Sequence, residues 1–311
     1  MVINYAKSNV KLASQEQKAV FDTSAVVVGS EQETVFKTEG TKMYVLDSSE
    51  DIYQFTLSTA WDVSTASSDS VSFTLTQGAT ANDIYFKPDG TKLYSLDGAA
   101  AVYQYSLSTA WDVSTASYDS VSFATVGEVA SLSMEFSADG TSLYIGGASG
   151  NGIDQYTLST AWDLSTAGSG VFTSFGEDMD CIAFSSDGVY LATVSVGATA
   201  PLVDHVKLYK LGTPWDVSTA AAVNDGTMES QYNATTNGIT FGDDDKSFYI
   251  THNNEVLQYD SSESYTITYA DGINFKATPF TLRGDETDVV VFRTRDGGTS
   301  YTGTLVIDGA K

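Results

Sequence analysis

The segment Leu57-Ser58-Thr59-Ala60-Trp61-Asp62-Val63-Ser64-Thr65-Ala66 occurs four times along the chain. It returns unchanged at 107–116, with one Val-to-Leu replacement at 158–167, and in a looser form at 211–220. The tryptophans of the four copies, Trp61, Trp111, Trp162 and Trp215, are 50, 51 and 53 residues apart. Self-similarity at a period of about 50 residues is typical of repeat architectures, in which each repeat is one supersecondary unit.

A second motif follows the same period. Its clearest copy is Phe86-Lys87-Pro88-Asp89-Gly90-Thr91-Lys92-Leu93-Tyr94. The phenylalanine recurs at 36, 136, 184 and 241, so this motif has five copies. A Pro-Asp-Gly turn between alternating apolar residues indicates a β-hairpin. Each unit then contains four short strands, which is the blade of a β-propeller.

The sequence therefore predicts an all-β, five-bladed propeller with four-stranded blades. The fifth unit lacks a Trp-Asp connector and an outer strand, whereas residues 21–28 resemble outer strands such as 119–123. We predict that this N-terminal strand completes the last blade and removes the open sheet edges. The predicted organisation is an N-terminal arm at 1–19, the propeller at 20–262 and a small C-terminal β domain at 263–311.

The charge of the chain limits its partners. Among 311 residues, 15 are Lys or Arg and 40 are Asp or Glu, which gives a formal net charge of −25. Such a field repels phosphate groups and anionic lipids, so we expect neither a nucleic acid nor a membrane as partner. The single cysteine, Cys181, excludes an internal disulfide framework. His205 and His252 are too isolated in the sequence to suggest a metal site.

The repeated Trp-Asp pair has two interpretations. Tryptophan faces stack on sugars, and one site per blade would add avidity. Alternatively, the tryptophans pack between adjacent blades while the aspartates bind the connector backbone. We favour this structural role, because a tryptophan at the same place in four units is what packing between adjacent blades requires. The equivalence of the four aspartates also weakens a catalytic role, since it does not single out the carboxylate pair that a glycosidase needs. The residues concerned are Trp61, Trp111, Trp162 and Trp215 with Asp62, Asp112, Asp163 and Asp216.

Function is expected where the repeats differ. Four residues before each repeated phenylalanine stand Gln32, Asn82, Leu132, Asp180 and Asn237. We expect them around one mouth of the central channel, where the four polar ones could hold a cation or small ligand, or simply line a water-filled channel. The acidic clusters at 50–51 and 243–245 could bind Ca²⁺, although neither has the spacing of an EF-hand. No other cofactor is predicted.

Two stretches resemble phage proteins. The Asp-Gly-Thr-Lys-Leu-Tyr and Leu-Ser-Thr-Ala-Trp-Asp-Val-Ser-Thr-Ala units are similar to propeller repeats of bacterial and bacteriophage surface or virion proteins. Residues 288–303 resemble the C-terminal segments of structural and tail-fibre proteins of marine tailed phages, with Ser300 and Thr302 departing from the usual Asp-Gly-Gly-Thr-Thr-Tyr-Tyr-Gly. The resemblance implies a non-enzymatic virion protein, either a capsid decoration or a tail appendage.

The expected location is thus the virion, with other virion proteins as partners and a homo-oligomeric state. Two alternatives remain open at this stage. The first is a glycan-binding adhesin that recognises a host surface glycan. The second is a carboxylate-dependent glycosidase, which would use an acid and a base or nucleophile among the abundant acidic residues.

Overall fold

The computed structural model describes residues 4–11, 17–125, 131–148, 150–196, 204–223, 228–229, 236–242, 247–252, 254–260, 262–268, 288–294 and 301–307. Within these ranges the regular structure is almost entirely β-strand. The helical elements there are four short 3-10 turns, Val63–Thr65, Val113–Thr115, Leu164–Thr166 and Val217–Thr219.

The strands form in chain order and are numbered accordingly. They are β1 (Asn4–Lys11), β2 (Gln17–Asp22), β3 (Glu31–Phe36), β4 (Lys42–Asp47), β5 (Asp51–Leu57), β6 (Ala66–Thr74), β7 (Ala81–Phe86), β8 (Lys92–Asp97), β9 (Ala101–Leu107), β10 (Ala116–Ala124), β11 (Ser131–Phe136), β12 (Ser142–Gly147), β13 (Gly152–Thr157), β14 (Val171–Ser174), β15 (Cys181–Phe184), β16 (Tyr190–Val196), β17 (Asp204–Leu211), β18 (Ala220–Ala222), β19 (Met228–Glu229), β20 (Gly238–Gly242), β21 (Ser247–His252), β22 (Glu255–Asp260), β23 (Ser262–Thr268), β24 (Asp288–Thr294) and β25 (Tyr301–Ile307).

Five antiparallel sheets form the blades of a propeller. Blade 1 contains β3 to β6, blade 2 contains β7 to β10, and blade 3 contains β11 to β14. Blade 4 contains β15 to β18, with β19 also paired to β17, and blade 5 has the order β2-β22-β21-β20. The inner strands contact one another in the cycle β3, β7, β11, β15, β20 and back to β3. The chain is therefore an all-β five-bladed propeller, and the prediction from the repeats is confirmed.

An N-terminal strand closes the last blade, but it lies earlier than the predicted 21–28. β2 spans Gln17–Asp22 and pairs antiparallel with β22, with Phe21 opposite Val256. After Asp22 the backbone turns, because the N–H groups of Val26 and Val27 both donate to the carbonyl of Thr23, at 2.8 and 3.0 Å. The apolar residues after the turn belong to a loop that leads into β3.

The chain divides into two compact units, residues 12–261 and residues 1–11 with 262–311. The first unit is the propeller. In the second unit, β1 pairs antiparallel with β23, and β24 pairs antiparallel with β25. Part of the predicted N-terminal arm thus pairs with a strand of the predicted C-terminal β domain.

The hydrophobic core lies between neighbouring blades. One buried cluster joins Tyr44 and Leu46 of blade 1 to Ile84 and Phe86 of blade 2. Similar clusters join blade 2 to blade 3, blade 3 to blade 4 and blade 5 to blade 1. Burial of about 25 cal/mol per Å² of apolar surface makes these inter-blade cores the main source of stability.

Candidate functional site

The four aspartates of the Trp-Asp connectors cap short 3-10 turns. In blade 1, Asp62 Oδ1 accepts hydrogen bonds from the Ser64 N–H at 3.1 Å and from the Ser64 hydroxyl at 2.6 Å. Asp112, Asp163 and Asp216 make the same pair of bonds to the serine two residues later. A side chain that accepts from the backbone two residues on is the usual N-cap and turn bond.

Each of the four connector tryptophans packs so closely on a hairpin turn that only glycine fits beneath its ring. Each tryptophan has a φ of 65–66°, and each lies against the glycine of its own Asp-Gly-type turn. A Cβ built on Gly40 would lie 2.3 Å from the Trp61 ring, and one on Gly242 of blade 5 would lie 2.4 Å from it. Trp61 is therefore packed between glycines of blades 1 and 5.

Each connector is also bound by the preceding blade. The Tyr44 hydroxyl donates to the Trp111 carbonyl at 2.6 Å, and the same bond runs from Tyr94 to Trp162, from Tyr144 to Trp215 and from Tyr249 to Trp61. Glutamine side chains add a second bond: Gln54 Oε1 accepts from the Val113 N–H at 3.3 Å, and Gln104 and Gln258 do the same for the next connectors. The connectors therefore join adjacent blades.

The predicted channel-mouth residues lie where the inner strands begin. Gln32, Asn82 and Leu132 are the extra residues of β-bulges at the start of β3, β7 and β11. Asp180 and Asn237 directly precede β15 and β20. All five side chains are half-buried. Bulges are frequent at the ends of strands, where they re-aim neighbouring side chains.

Some of these residues bond to the protein itself. The Asn237 amide donates to the backbone carbonyl of Glu31 at 2.6 Å, which places it beside Gln32. The Gln32 amide donates to the Ser30 carbonyl at 3.3 Å. These two amides thus already bind backbone carbonyls.

The position one residue further along each inner strand links the blades. The Asp83 Oδ2 of blade 2 accepts from the Met134 N–H at 2.5 Å and from the Ser133 hydroxyl at 3.2 Å, both on blade 3. The Ser133 oxygen in turn accepts from the Ile182 N–H of blade 4 at 3.0 Å. The buried Cys181 thiol donates to the Thr236 carbonyl at 3.8 Å.

Glu33 completes this ring of contacts between blades 5 and 1. A Cβ at Gly238 would lie 2.5 Å from Glu33 Oε1, so glycine is required where the glutamate carboxyl crosses to blade 5. Sequence reasoning missed the position because it chose the residue one place earlier. The signal was available: three residues before the repeated phenylalanines the sequence has Glu33, Asp83, Ser133, Cys181 and Gly238, a set as varied as the one that was chosen.

Three carboxyl groups on the inner strands influence one another. Burial raises the pKa of Asp83 to about 7, although the N–H of Met134 and the Ser133 hydroxyl oppose the rise. Burial also raises the pKa of Glu33 well above its ordinary value, and the charge of Asp83 raises it further. Glu135 behaves in the same way for the same two reasons. Near neutral pH this cluster therefore holds protons that exposed carboxyls would have lost.

A raised carboxyl pKa is one property of a general acid, but access is the second requirement. Asp83 is only 3 % exposed and Glu33 only 5 % exposed, and Asp83 Oδ2 already accepts two protein hydrogen bonds. A polysaccharide could not reach these two groups without opening the ring. We therefore assign Asp83 and Glu33 to the connection between blades.

The described residues contain no group of three His, Cys, Asp or Glu side chains placed to hold a metal ion. At the acidic pair 50–51, the Thr74 hydroxyl donates to the Asp51 carboxylate. The cluster at 243–245 and the side chain of His205 lie outside the described residues, and His252 is buried on β21. In the same ranges no helix is long and apolar enough to cross a membrane.

Glu31 joins the first blade to the closing strand. Its carboxylate accepts hydrogen bonds from the Thr23 hydroxyl and, at 2.7 Å, from the Asn254 N–H. Thr23 follows β2, and Asn254 lies in the turn between β21 and β22. Since Glu31 is 1 % exposed, these bonds are shielded from water and hold the junction of the ring.

Comparisons with known proteins find similarity in three-dimensional structure only. No protein-family model matches the chain, and no curated sequence matches it. One similar solved structure is a protein of Bacteroides uniformis described as a 6-phosphogluconolactonase, with 15 % identity and a TM-score of 0.43 over 64 % of this chain and 55 % of that one. Two others are U3-55K, with 9 % identity and a TM-score of 0.45, and the RRP9 WD40 repeats, with 8 % and 0.44. Each covers 79 % of this chain, with 100 % and 99 % of the other chain covered. At these values the likenesses carry no argument about function.

Proposed function

We propose that this protein is a non-enzymatic structural and interaction component of a tailed-phage virion. In this proposal the propeller is the part displayed to the exterior, and the second unit attaches it to other virion proteins. The protein would decorate the capsid or form part of a tail appendage.

The observation that carries the proposal is the division of the chain into a closed propeller and a second unit. β2 closes the propeller, and the second unit combines residues 1–11 with residues 262–311. There β1 and β23 pair over Asn4–Lys11 and Ser262–Thr268. One unit for display and another for attachment suit a protein that is fixed at one place and exposed at another.

The C-terminal hairpin supports the attachment role. The segment that resembles phage tail-fibre proteins contains β24 and the start of β25, which pair with Phe292 opposite Gly303 and Thr294 opposite Tyr301. A two-stranded hairpin is marginally stable on its own in water, because it buries little apolar surface. It gains stability when other strands extend its sheet, and neighbouring subunits can supply them.

The construction of the propeller supports the display role. Tyrosine and glutamine bonds bind successive connectors, and the inner strands are linked through Asp83, Ser133 and Glu33. A ring held at both the connectors and the inner strands resists unfolding outside the cell. The net charge of −25 on each chain makes particles that display it repel one another, which favours their solubility.

The test is whether the chain is present in assembled particles. Mass spectrometry of gradient-purified particles of the phage that encodes the chain should find peptides from both units. Immunogold labelling with antibodies against the propeller should decorate intact particles. Absence of the chain from purified particles, or labelling confined to free protein in the lysate, would overturn the proposal.

A further inference from the structure

The outer strand of blade 3 lacks the protection that the outer strands of blades 1 and 2 share. β6 and β10 each contain a bulge, and their Asp69 and Asp119 pair with Lys42 and Lys92 at 2.7 and 2.8 Å. In blade 3 the lysine is replaced by Ser142. The register shifts between Ala167 and Val171, but β14 itself pairs with β13 in unbroken register and contains no charged residue. Bulges and charged side chains are two devices by which proteins prevent edge strands from pairing with other chains.

β14 also carries an aromatic residue at a register position where the outer strands of blades 1 and 2 have serine. Ser72 and Ser122 stand opposite the third residue of β5 and β9, whereas Phe172 stands at that place opposite the third residue of β13. Phe172 is 46 % exposed and its neighbour Val171 is 66 % exposed. Two of the four large apolar side chains that are exposed in the described part of the chain therefore belong to one edge strand, on opposite faces of its sheet.

The strand is uncharged in a strongly acidic protein. Residues 164–176 contain no Asp, Glu, Lys or Arg, while the chain as a whole has a net charge of −25. A cationic partner would be met by acidic side chains, and this strand offers none. A second copy of the chain is repelled by acidic surface, so an uncharged strand is where two copies can approach most closely.

We propose that β14 is an interface at which a second copy of this chain adds its own β14, antiparallel, about a two-fold axis at Phe172. Such an axis is isologous, so each copy presents the same surface. Directly opposite residues in an antiparallel pair share a face of the sheet, which sets Phe172 against Phe172 of the other copy and Val171 against its Thr173. The two blades then form one continuous sheet of eight strands.

The strand pair is short, so the association is weak and depends on concentration. β14 has four residues, and such a contact buries far less than the roughly 800 Å² per partner of a stable dimer. High local concentration in an assembly compensates for low affinity. The interface concerns the isolated protein and does not rest on the virion role.

Sedimentation velocity of the full chain over a wide concentration range tests the interface. We expect a reversible monomer–dimer equilibrium that strengthens with added salt, because salt screens the repulsion between acidic copies. Phe172→Ser, which restores the serine of blades 1 and 2, should weaken dimerisation at least about tenfold. Val20→Ser, at an exposed apolar residue of β2, should leave it unchanged. A monomer at every concentration, a dimer weakened by salt, or equal effects of the two variants would overturn the proposal.

Disulfide trapping supplies a second readout that does not depend on affinity. Opposed Cβ atoms in an antiparallel pair lie about 4.5–5.5 Å apart, which a small adjustment brings within disulfide reach. Phe172→Cys should therefore cross-link two copies under mild oxidation, since the native Cys181 is 1 % exposed and does not compete. Ser122→Cys, at the matching register position of blade 2, is the control. Cross-linking of both variants at equal rates would show random collision and refute the interface.

Discussion

The Tyr44 hydroxyl of blade 1 donates a hydrogen bond to the backbone carbonyl of Trp111 in blade 2, at 2.6 Å. The Trp111 N–H donates in turn to the carbonyl of Gly90 in its own blade, at 3.0 Å. Each connector is thereby held from both sides. Blade 4 has Ala192 and Leu208 at the places of the tyrosine and glutamine, and the blade that follows it has no Trp-Asp connector to receive them. Donor and acceptor are absent together.

Removal of the Tyr44 hydroxyl should weaken the contact between blades 1 and 2. Tyr44 is buried, so Tyr44→Phe leaves the Trp111 carbonyl without this donor and should lower the free energy of unfolding by about 1–2 kcal/mol. Urea denaturation followed by tryptophan fluorescence measures the change. Tyr118→Phe, a half-buried tyrosine on β10, should change it by less than about 0.5 kcal/mol. Equal losses in both variants would contradict the role of the inter-blade bond.

Glycine is required beneath each connector tryptophan for two separable reasons. Gly90 has a φ of +71°, and a Cβ there would lie 2.4 Å from the Trp111 ring, so Gly90→Ala should destabilise the protein by about 3 kcal/mol or more. Gly176 has a φ of +78° but nothing within 4 Å of its would-be Cβ. Gly176→Ala therefore measures the backbone effect alone, about 1 kcal/mol. If the two variants lose equal stability in thermal denaturation, the packing of the tryptophan has no part in the effect.

The repeats made the architecture predictable, because copies of one unit must fold alike and each must bury its faces against its neighbours. Five copies of the phenylalanine motif gave the number of blades, and the missing fifth connector gave the closing strand. The predicted position of that strand, 21–28, was only partly right. Phe21 and Asp22 lie in β2, but Thr23 begins a turn that the apolar pattern alone does not reveal.

The inner-strand contacts were less predictable than the architecture. A bulge adds one residue near the start of β3, β7 and β11, and a shift by one residue exchanges the two faces of a strand. The residues after the bulges, Glu33 and Asp83, therefore make the contacts between blades. Sequence spacing alone pointed to Gln32 and Asn82. The exposed Phe172 was hidden for a related reason: blade 3 has one residue fewer between Ala167 and Val171 than blade 1 has between Ala66 and Val71, so Phe172 stands where blade 1 has Ser72.

The inner-strand carboxyls should make the propeller more stable in mild acid than in mild alkali. The pKa of Asp83 is about 7 when folded against an ordinary value of 3.8, so between these values the folded chain binds more protons than the unfolded chain. The free energy of unfolding therefore falls as pH rises through this window, and the raised pKa values of Glu33 and Glu135 act in the same direction. We expect Tm to be several degrees higher at about pH 5 than at about pH 8.

The variant Asp83→Asn separates this effect from the general repulsion within an acidic chain. Its amide is neutral at every pH, so its Tm should rise relative to the parent protein as the pH rises from about 5 to 8. Below about pH 4 the Tm of both proteins should fall as the pH falls further. Carboxyls such as Asp139, whose pKa is lowered by the Thr141 N–H, then lose their stabilising bonds. Parallel curves of Tm against pH for the two proteins would rule out Asp83 as the source.

β2, which closes the ring, should be indispensable for the stability of the propeller, whereas β1 should not. Removal of residues 1–22 eliminates β2 and exposes the edge of β22, together with the apolar face that packs on Phe21. We expect a large fall in Tm and loss of a single cooperative transition, because a ring without its last strand no longer fixes the junction of blades 5 and 1. Removal of residues 1–11 deletes β1 but keeps β2, and it should leave the main transition within a few degrees of the intact chain. Differential scanning calorimetry of both truncations measures this difference. If the longer truncation unfolds at the same temperature as the shorter one, closure of the propeller by the N-terminal strand contributes nothing to its stability.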